Sequence, residues 1–264
     1  MRWLLFLLLL SCGGGGGVSN APGQNAPVSS TGRQIEFAYF GVMPGQPLDY
    51  TSTVFDFAWD GEEAMIARTK AHKKPVVIDF GWLFEGNRPK PDAPALWQAY
   101  LDRMTAAGIV DRIAGAYLDE PNLRGLSPAD IGFVTTMMRA SKTLIIVTSY
   151  AQTNDLPGIE YFDHVGMSAF DSKWLTDGGY LTLKGRLRGD QKIFFVSYGA
   201  SPYQHRPEPW FNACQLDYQC TGVIGFIWGD GWASIPSNRG IVSNGLQTAY
   251  CIAARAATHQ PGPC

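Results

Sequence analysis

From Ile35 onward eight short apolar runs recur along the chain, and their number and spacing constrain the fold more than any other feature. They are Ile35–Gly41, Thr53–Trp59, Pro75–Gly81, Ile113–Asp119, Thr143–Tyr150, His164–Phe170, Lys192–Tyr198 and Gly222–Trp228. Val76-Val77-Ile78, Leu144-Ile145-Ile146-Val147 and Ile193-Phe194-Phe195-Val196 are apolar at consecutive positions, as strands covered on both faces require. That favours parallel strands over a half-wet antiparallel sheet. Between the runs, Glu62–Lys73, Ala93–Asp111, Pro128–Lys142, Tyr180–Arg188, Trp210–Gln219 and Gly240–Thr258 carry helical periodicity, with starts such as Ser127-Pro128. The alternation predicts an α/β chain, and eight strands in about 230 residues predict a (β/α)8 TIM barrel. An open dinucleotide-binding sheet is the alternative, but no Gly-x-Gly-x-x-Gly follows any run. The link after the first run holds Pro44, Gly45 and Pro47, and that after the fifth holds Pro157 and Gly158. The helices there are expected to be lost or shortened to turns.

The residues before the first run have another character. Arg2 precedes an apolar stretch from Trp3 to Leu10 that is too short to span a bilayer, the pattern of an export signal. It ends Leu9-Leu10-Ser11-Cys12, which resembles the lipobox of bacterial lipoproteins. The resemblance implies a signal peptide over residues 1–11, acylation (palmitate) at Cys12 and a membrane anchor in the cell envelope, facing the periplasm or exterior. Gly13 through Gly17, followed by Ser, Asn, Ala, Pro and Gln, suits a flexible tether over residues 12–32, leaving 33–264 as one folded domain. Cys214, Cys220, Cys251 and Cys264 are even in number, so two disulfides are expected in an oxidising compartment. Three connectivities are open, of which Cys214 with Cys220 and Cys251 with Cys264 is the simplest. With 21 basic against 23 acidic residues and only 17% charged, nothing steers the chain toward nucleic acid.

A barrel builds its active site at the carboxyl ends of its strands, so the residues just past each run matter most. The fourth run ends Tyr117-Leu118-Asp119-Glu120-Pro121-Asn122, two adjacent carboxylates with a proline that forces the chain out of the sheet. This resembles TIM-barrel glycoside hydrolases, in which a strand-four end of the form Asn-Glu-Pro or Asp-Glu-Pro carries the general acid/base glutamate. The resemblance implies that Glu120 is the proton donor. The chemistry agrees, because a leaving oxygen needs a carboxyl still protonated near neutral pH, and a neighbouring carboxylate such as Asp119 raises proton affinity. A purely structural role would instead pair Asp119 and Glu120 with Arg124 or Arg112. The large retaining clan also needs a glutamate at the end of strand seven, where this chain reads Ser197-Tyr198-Gly199-Ala200-Ser201. Glu208, farther along, is a poor substitute. A second carboxylate must then come from Asp60, Asp171 or Asp230, with Asp79 nearer a strand interior. Asp230 is favoured, since it comes directly after Phe226-Ile227-Trp228-Gly229, which resembles the aromatic last strand of sugar-processing barrels. Asp171, after Met167-Ser168-Ala169-Phe170, faintly resembles the Met-x-Tyr-Asp strand of chitinase-like enzymes, and is assigned with Asp60 and Asp119 to substrate binding.

The tryptophans point the same way. Trp59, Trp82 and Trp228 end predicted strands, while Trp174, Trp210 and Trp232 lie in the loops beyond strands. Trp59, Trp82, Trp228 and Trp232, with Tyr150 and Tyr198, would form a rim whose flat rings stack on sugar C–H faces. Some of these rings are expected to plug the core instead. His72, His164, His205 and His259 make no metal-ligand pair, and there is no Gly-x-Ser-x-Gly elbow or phosphate loop. No cofactor or metal is expected. The chain thus reads as a membrane-tethered glycosidase acting on an oligo- or polysaccharide with Glu120 and Asp230 as catalytic pair. The rival is a non-catalytic carbohydrate-binding lipoprotein.

Overall fold

The computed structural model describes residues 26–43, 45–150, 154–167, 175–176, 178–200, 205–230 and 239–264. The eight predicted strands are present as β1 Glu36–Tyr39, β2 Val54–Asp56, β3 Val76–Asp79, β4 Ile113–Asp119, β5 Ile145–Tyr150, β6 His164–Met167, β7 Lys192–Tyr198 and β8 Cys220–Phe226. Every pairing is parallel, and each strand lies beside its chain neighbour except that β8 returns to β1. Between β1 and β2 the Ser52 N–H donates to the Phe37 carbonyl at 2.8 Å. The Phe37 N–H returns to the Ser52 hydroxyl at 3.2 Å, so the sheet curls into a nearly closed (β/α)8 barrel. A short hairpin, Phe84–Glu85 with Arg88–Pro89, hangs from the link after β3.

Strand periodicity divides the buried side chains into two cores. Ala38, Phe55, Val77, Tyr117, Val147, Phe194, Val196, Tyr198 and Ile224 point inward and fill the barrel. Their neighbours Phe37, Tyr39, Val76, Ile78, Leu118, Ile146, Tyr150, Val165 and Phe195 point outward and pack beneath the helices.

Those helices are α1 Glu62–His72, α2 Ala93–Ala106, α3 Pro128–Ser141, α4 Gly179–Lys184, α5 Glu208–Leu216 and α6 Gln247–Thr258. In α2 the buried Ala93, Trp97, Tyr100, Leu101 and Met104 recur at helical spacing, forming the stripe that meets the barrel. For α3 the Ser127 hydroxyl accepts the Asp130 N–H, with Pro128 preset at the first turn. α4 and α5 end four and three residues earlier than expected, and the largest departures are at the end of α2 and the start of α6. α2 stops at Ala106 because Gly108 adopts φ +73°, and the residues predicted to continue it form a 3-10 turn over Val110–Arg112. α6 begins only at Gln247, since the Ser243 hydroxyl and Asn244 amide are taken by Asp230 and the Gly199 carbonyl. After β1 the described residues contain no helix, and after β5 they contain only the 3-10 turn Ile159–Tyr161, as the prolines and glycines foretold.

The disulfides are the local pair, Cys214–Cys220 and Cys251–Cys264. Residues 26–32, placed by sequence in the tether, lie along α5, where Asn212 and Gln215 donate to the carbonyls of Ala26 and Ser29. Cys12 lies outside the described residues, among which no helix is long and apolar enough to cross a membrane.

Candidate active site

The inward register that fills the barrel continues past its carboxyl end. Two residues beyond Ala38, Phe55, Val77, Tyr117 and Val147 stand Phe40, Phe57, Asp79, Asp119 and Ser149, which form the uppermost interior layer. Phe40 and Phe57 meet edge to face at 4.9 Å, and Phe57 stacks on Tyr117 at 5.4 Å. This aromatic floor carries polar groups on the β3–β4 side. Phe40, Phe57, Tyr117, Asp79 and Asp119, together with Trp59, Glu120 and Arg124, line a cleft of about 460 Å³.

Asp119 ends β4. Its Oδ1 accepts the Tyr117 hydroxyl at 2.6 Å and the Ser149 hydroxyl at 3.3 Å, which fixes the carboxylate on the cleft wall. Although open to the cleft, it sits low among protein atoms, and the lost hydration pushes its pKa up; the two hydroxyls and Arg124 pull the other way. Asp79 ends β3, and its Oδ1 accepts the Gly81 N–H at 2.9 Å. Burial raises its pKa as well, opposed by the Gly81 N–H and Arg124 and reinforced by Asp119. Glu120 comes next after Asp119 with φ +40°, a left-handed conformation unusual for a side chain of this size. Its N–H still reaches the Ser149 carbonyl, while its own carbonyl receives Leu123 and Arg124. The sharp turn imposed before Pro121 brings Glu120 to the cleft beside Asp119.

Trp59 stands on the rim, 52% exposed, with its ring 5.5 Å from Phe57. Gly41 makes room for it. At φ +82°, a Cβ there would lie 2.7 Å from the indole. On the far side of Trp59 opens a second cleft of about 510 Å³, lined by Met43, Asp60, Trp228, Asp230 and Ser243. Asp230 is exposed there, accepting the Ser243 hydroxyl at 2.5 Å and the Gly240 N–H at 2.7 Å, bonds that hold its pKa below the usual value. Asp60 is likewise held down by the Arg68 guanidinium, whose nearest contact is 2.5 Å. The favoured pair, Glu120 and Asp230, therefore lines two clefts that, among the described residues, share only Trp59.

The remaining predicted ligands divide. Trp82 turns behind the site, donating from its indole to the Asp79 carbonyl at 2.9 Å and packing on Tyr100. Trp228 lines the second cleft against Tyr39 at 5.2 Å. Tyr198 lies inside the barrel, 4.4 Å from Phe226. Tyr150 is fully buried beneath the helices with its hydroxyl on the Pro157 carbonyl, so it belongs to the core and not to the rim. Trp210 is corrected in the same way, buried on α5 against Phe195. Asp171, Trp174 and Trp232 lie outside the described residues. Arg112 turns to the Lys73 carbonyl, away from the motif it was offered to pair. Among the described residues no group of three or more His, Cys, Asp or Glu is placed to hold a metal ion. Sequence reasoning undervalued Asp79, missed Phe40 and Phe57, and named Arg124 only as a structural partner of Asp119 and Glu120. Asp79, Phe40 and Phe57 were legible from the period of two that links them to Val77, Ala38 and Phe55.

No protein-family profile matches the sequence, and a search of curated proteins finds no relative. Solved structures do share the fold. A GH2 β-galacturonidase from Eisenbergiella tayi bound to galacturonate superposes with a TM-score of 0.59 at 12% identity, over 88% of this chain and 53% of that one. An endo-β-N-acetylglucosaminidase from Cordyceps militaris gives 0.54 at 16% identity, over 87% and 92%. Aspergillus clavatus Sph3 in complex with GalNAc gives 0.52 at 10% identity, over 86% and 99%. The chain thus spans about half the length of the galacturonidase and nearly all of the other two. What these likenesses show is the fold: a barrel of eight parallel strands with helices between them.

Proposed function

We propose that the barrel mouth hydrolyses a glycosidic bond, with Glu120 as proton donor and Asp79 as the second carboxylate. The observation that carries this reading is the convergence of Asp79, Asp119 and Glu120 on one aromatic-floored cleft at the carboxyl ends of adjacent strands. Phe57 and Trp59 offer apolar faces to a sugar ring, and the carboxylates supply the acid and the base that bond cleavage needs. Asp119, held by two hydroxyls, orients substrate and raises the proton affinity of its neighbours. Asp79 replaces Asp230 in the pair because Asp230 faces the other cleft, where with Asp60, Trp228 and, on the shared rim, Trp59 it is assigned to binding. The galacturonate and GalNAc named with two of the structural neighbours support carbohydrate as the ligand class.

The test is release of new reducing ends from a panel of neutral, N-acetylated and uronic-acid oligosaccharides. Glu120→Gln and Asp79→Asn are expected to lower the rate by about 10²–10⁴-fold. Loss in Asp230→Asn with retention in Asp79→Asn would restore Asp230 to the pair. Tight glycan binding by wild type without any new reducing end would favour the non-catalytic carbohydrate-binding reading, for which β7 ending in Ser197 and Tyr198 speaks. We further propose that Cys12 is the acylated anchor; Cys12→Ala is expected to move the protein from the membrane pellet to the soluble fraction.

A further inference from the structure

Among the described residues lining the carboxylate cleft, Arg124 is the one cation. Its backbone N–H bonds the Glu120 carbonyl at 3.3 Å, which places it one turn past the Asp-Glu-Pro motif. Its guanidinium crosses to the neighbouring strand end, where Nη2 donates to the Gly81 carbonyl at 3.0 Å and the charged head lies 5.5 Å over the Phe84 ring. This seat exists because residue 81 has no side chain. A Cβ there would stand 2.6 Å from Arg124 Nη1 and 3.1 Å from Asp79 Oδ1, so the cation and the carboxylate flank one bare Cα. Gly81 lies outside the left-handed region, so backbone conformation does not demand a glycine. Close approach does.

Resting on the hydrolase reading above, we propose that Gly81 and Arg124 are a positioning pair: the bare Cα seats the guanidinium on the same backbone position that Asp79 flanks, and the cation there favours the charged form of Asp79 that a second carboxylate needs. The other groups facing Asp79 and Asp119 leave that task to Arg124. Tyr117, Ser149 and Glu120 surround Asp119, and of these the hydroxyls carry no positive charge. In the recess behind Asp79 lie Asp56, Glu62 and Arg103, and Arg103 is paired with Glu62 at 2.7 Å. A nearby cation lowers a carboxyl's pKa, so removing it must move ionisation of Asp79 to higher pH.

The experiment is titration of the Asp carboxyl carbons by NMR in full-length protein, assigned with Asp79→Asn and Asp119→Asn. The Asp79 midpoint is expected to rise by about one pH unit in Arg124→Gln, with part of the shift recovered in Arg124→Lys. Gly81→Ala, which expels the guanidinium but keeps the charge in the chain, is expected to raise the midpoint too, and it carries the test should Arg124→Gln fail to fold. An unchanged midpoint in a folded variant overturns the proposal. This readout needs no substrate, so it stands apart from the hydrolase reading. If the oligosaccharide panel is cleaved, the acid limb of the pH–rate profile is expected to move upward by the same amount in Arg124→Gln, and a limb that stays put overturns the role in catalysis.

Discussion

Glu120 combines the most informative sequence signal with the least comfortable backbone of the cleft. A residue with a Cβ at φ +40° stores on the order of 1 kcal/mol, and such strain persists where surrounding structure imposes it. Here it is imposed from both sides, by the ladder bond to Ser149 and by the two N–H groups of Leu123 and Arg124 that converge on the Glu120 carbonyl. Comparing two truncations isolates the strain, since both remove the carboxylate and all its contacts. Glu120→Gly is expected to be more stable than Glu120→Ala by about 1 kcal/mol in urea unfolding, the reverse of their order in an ordinary helix or strand. Equal stabilities would mean that the turn relaxes once the side chain is gone. In either variant cleavage of the oligosaccharide panel is expected to disappear.

At the scale of elements, the mouth depends on how each strand end is tied to the helix beyond it. The firmest tie joins β2 to α1. Asp56 ends β2 with its side chain only 1% exposed, and both of its oxygens are met by the Arg68 guanidinium at 2.9 and 3.0 Å. Asp56 also accepts the Ala58 N–H, which bends the chain toward Trp59. Because Arg68→Met would strand a buried carboxylate, it is expected to lower the unfolding free energy by about 3 kcal/mol, while a double variant with Asp56→Asn recovers part of the loss. A loss below about 1 kcal/mol in the single variant would show that water replaces the arginine. Much of the element plan was legible beforehand, because consecutive apolar residues announce strands buried on both faces and Ser127-Pro128 announces a helix start. Other features depend on partners that are distant in sequence. Nothing local tells that Trp210 turns into the core while Trp59 turns out, since that is settled by which face of α5 meets β7. Nothing in Asn122-Leu123-Arg124 predicts a reach to Gly81, 43 residues upstream. Asp79 was different: its phase with Val77 placed it in the mouth, but a barrel had to be assumed before that phase had meaning.

For the molecule as a whole, the clefts open at the carboxyl ends of the strands, while the segment entering β1 and the C-terminal tail are each fastened by an arginine and a disulfide. Arg33 sends one nitrogen to the carbonyls of Cys214, Asp217 and Cys220 at 2.6–2.7 Å, so the arm entering β1 is clamped onto the loop that the Cys214–Cys220 disulfide closes. At the other end, Cys251–Cys264 staples the tail to α6, and Arg255 reaches from that helix to the tail carbonyl of Pro263 and to Asp49 in the link after β1. Both disulfides close short loops, with separations of 6 and 13 residues, for which chain entropy alone gives about 2–3 kcal/mol each. Stability lost on reduction is therefore expected to reach about 5 kcal/mol, a large share of what a domain of this size holds. Its distribution is expected to be uneven. Breaking Cys214–Cys220 removes the frame on which Arg33 is clamped, so a Cys214→Ser, Cys220→Ser variant should show faster amide exchange over residues 26–35 and over the β1 edge of the barrel. Breaking the other bridge should loosen only α6 and the tail. Exchange that rises equally everywhere in both variants would mean that the barrel opens as one unit and that the arm is held by β1 alone. A rise confined to the predicted segment would make the oxidised loop at the foot of β8 the point through which the N-terminal arm is fixed to the barrel.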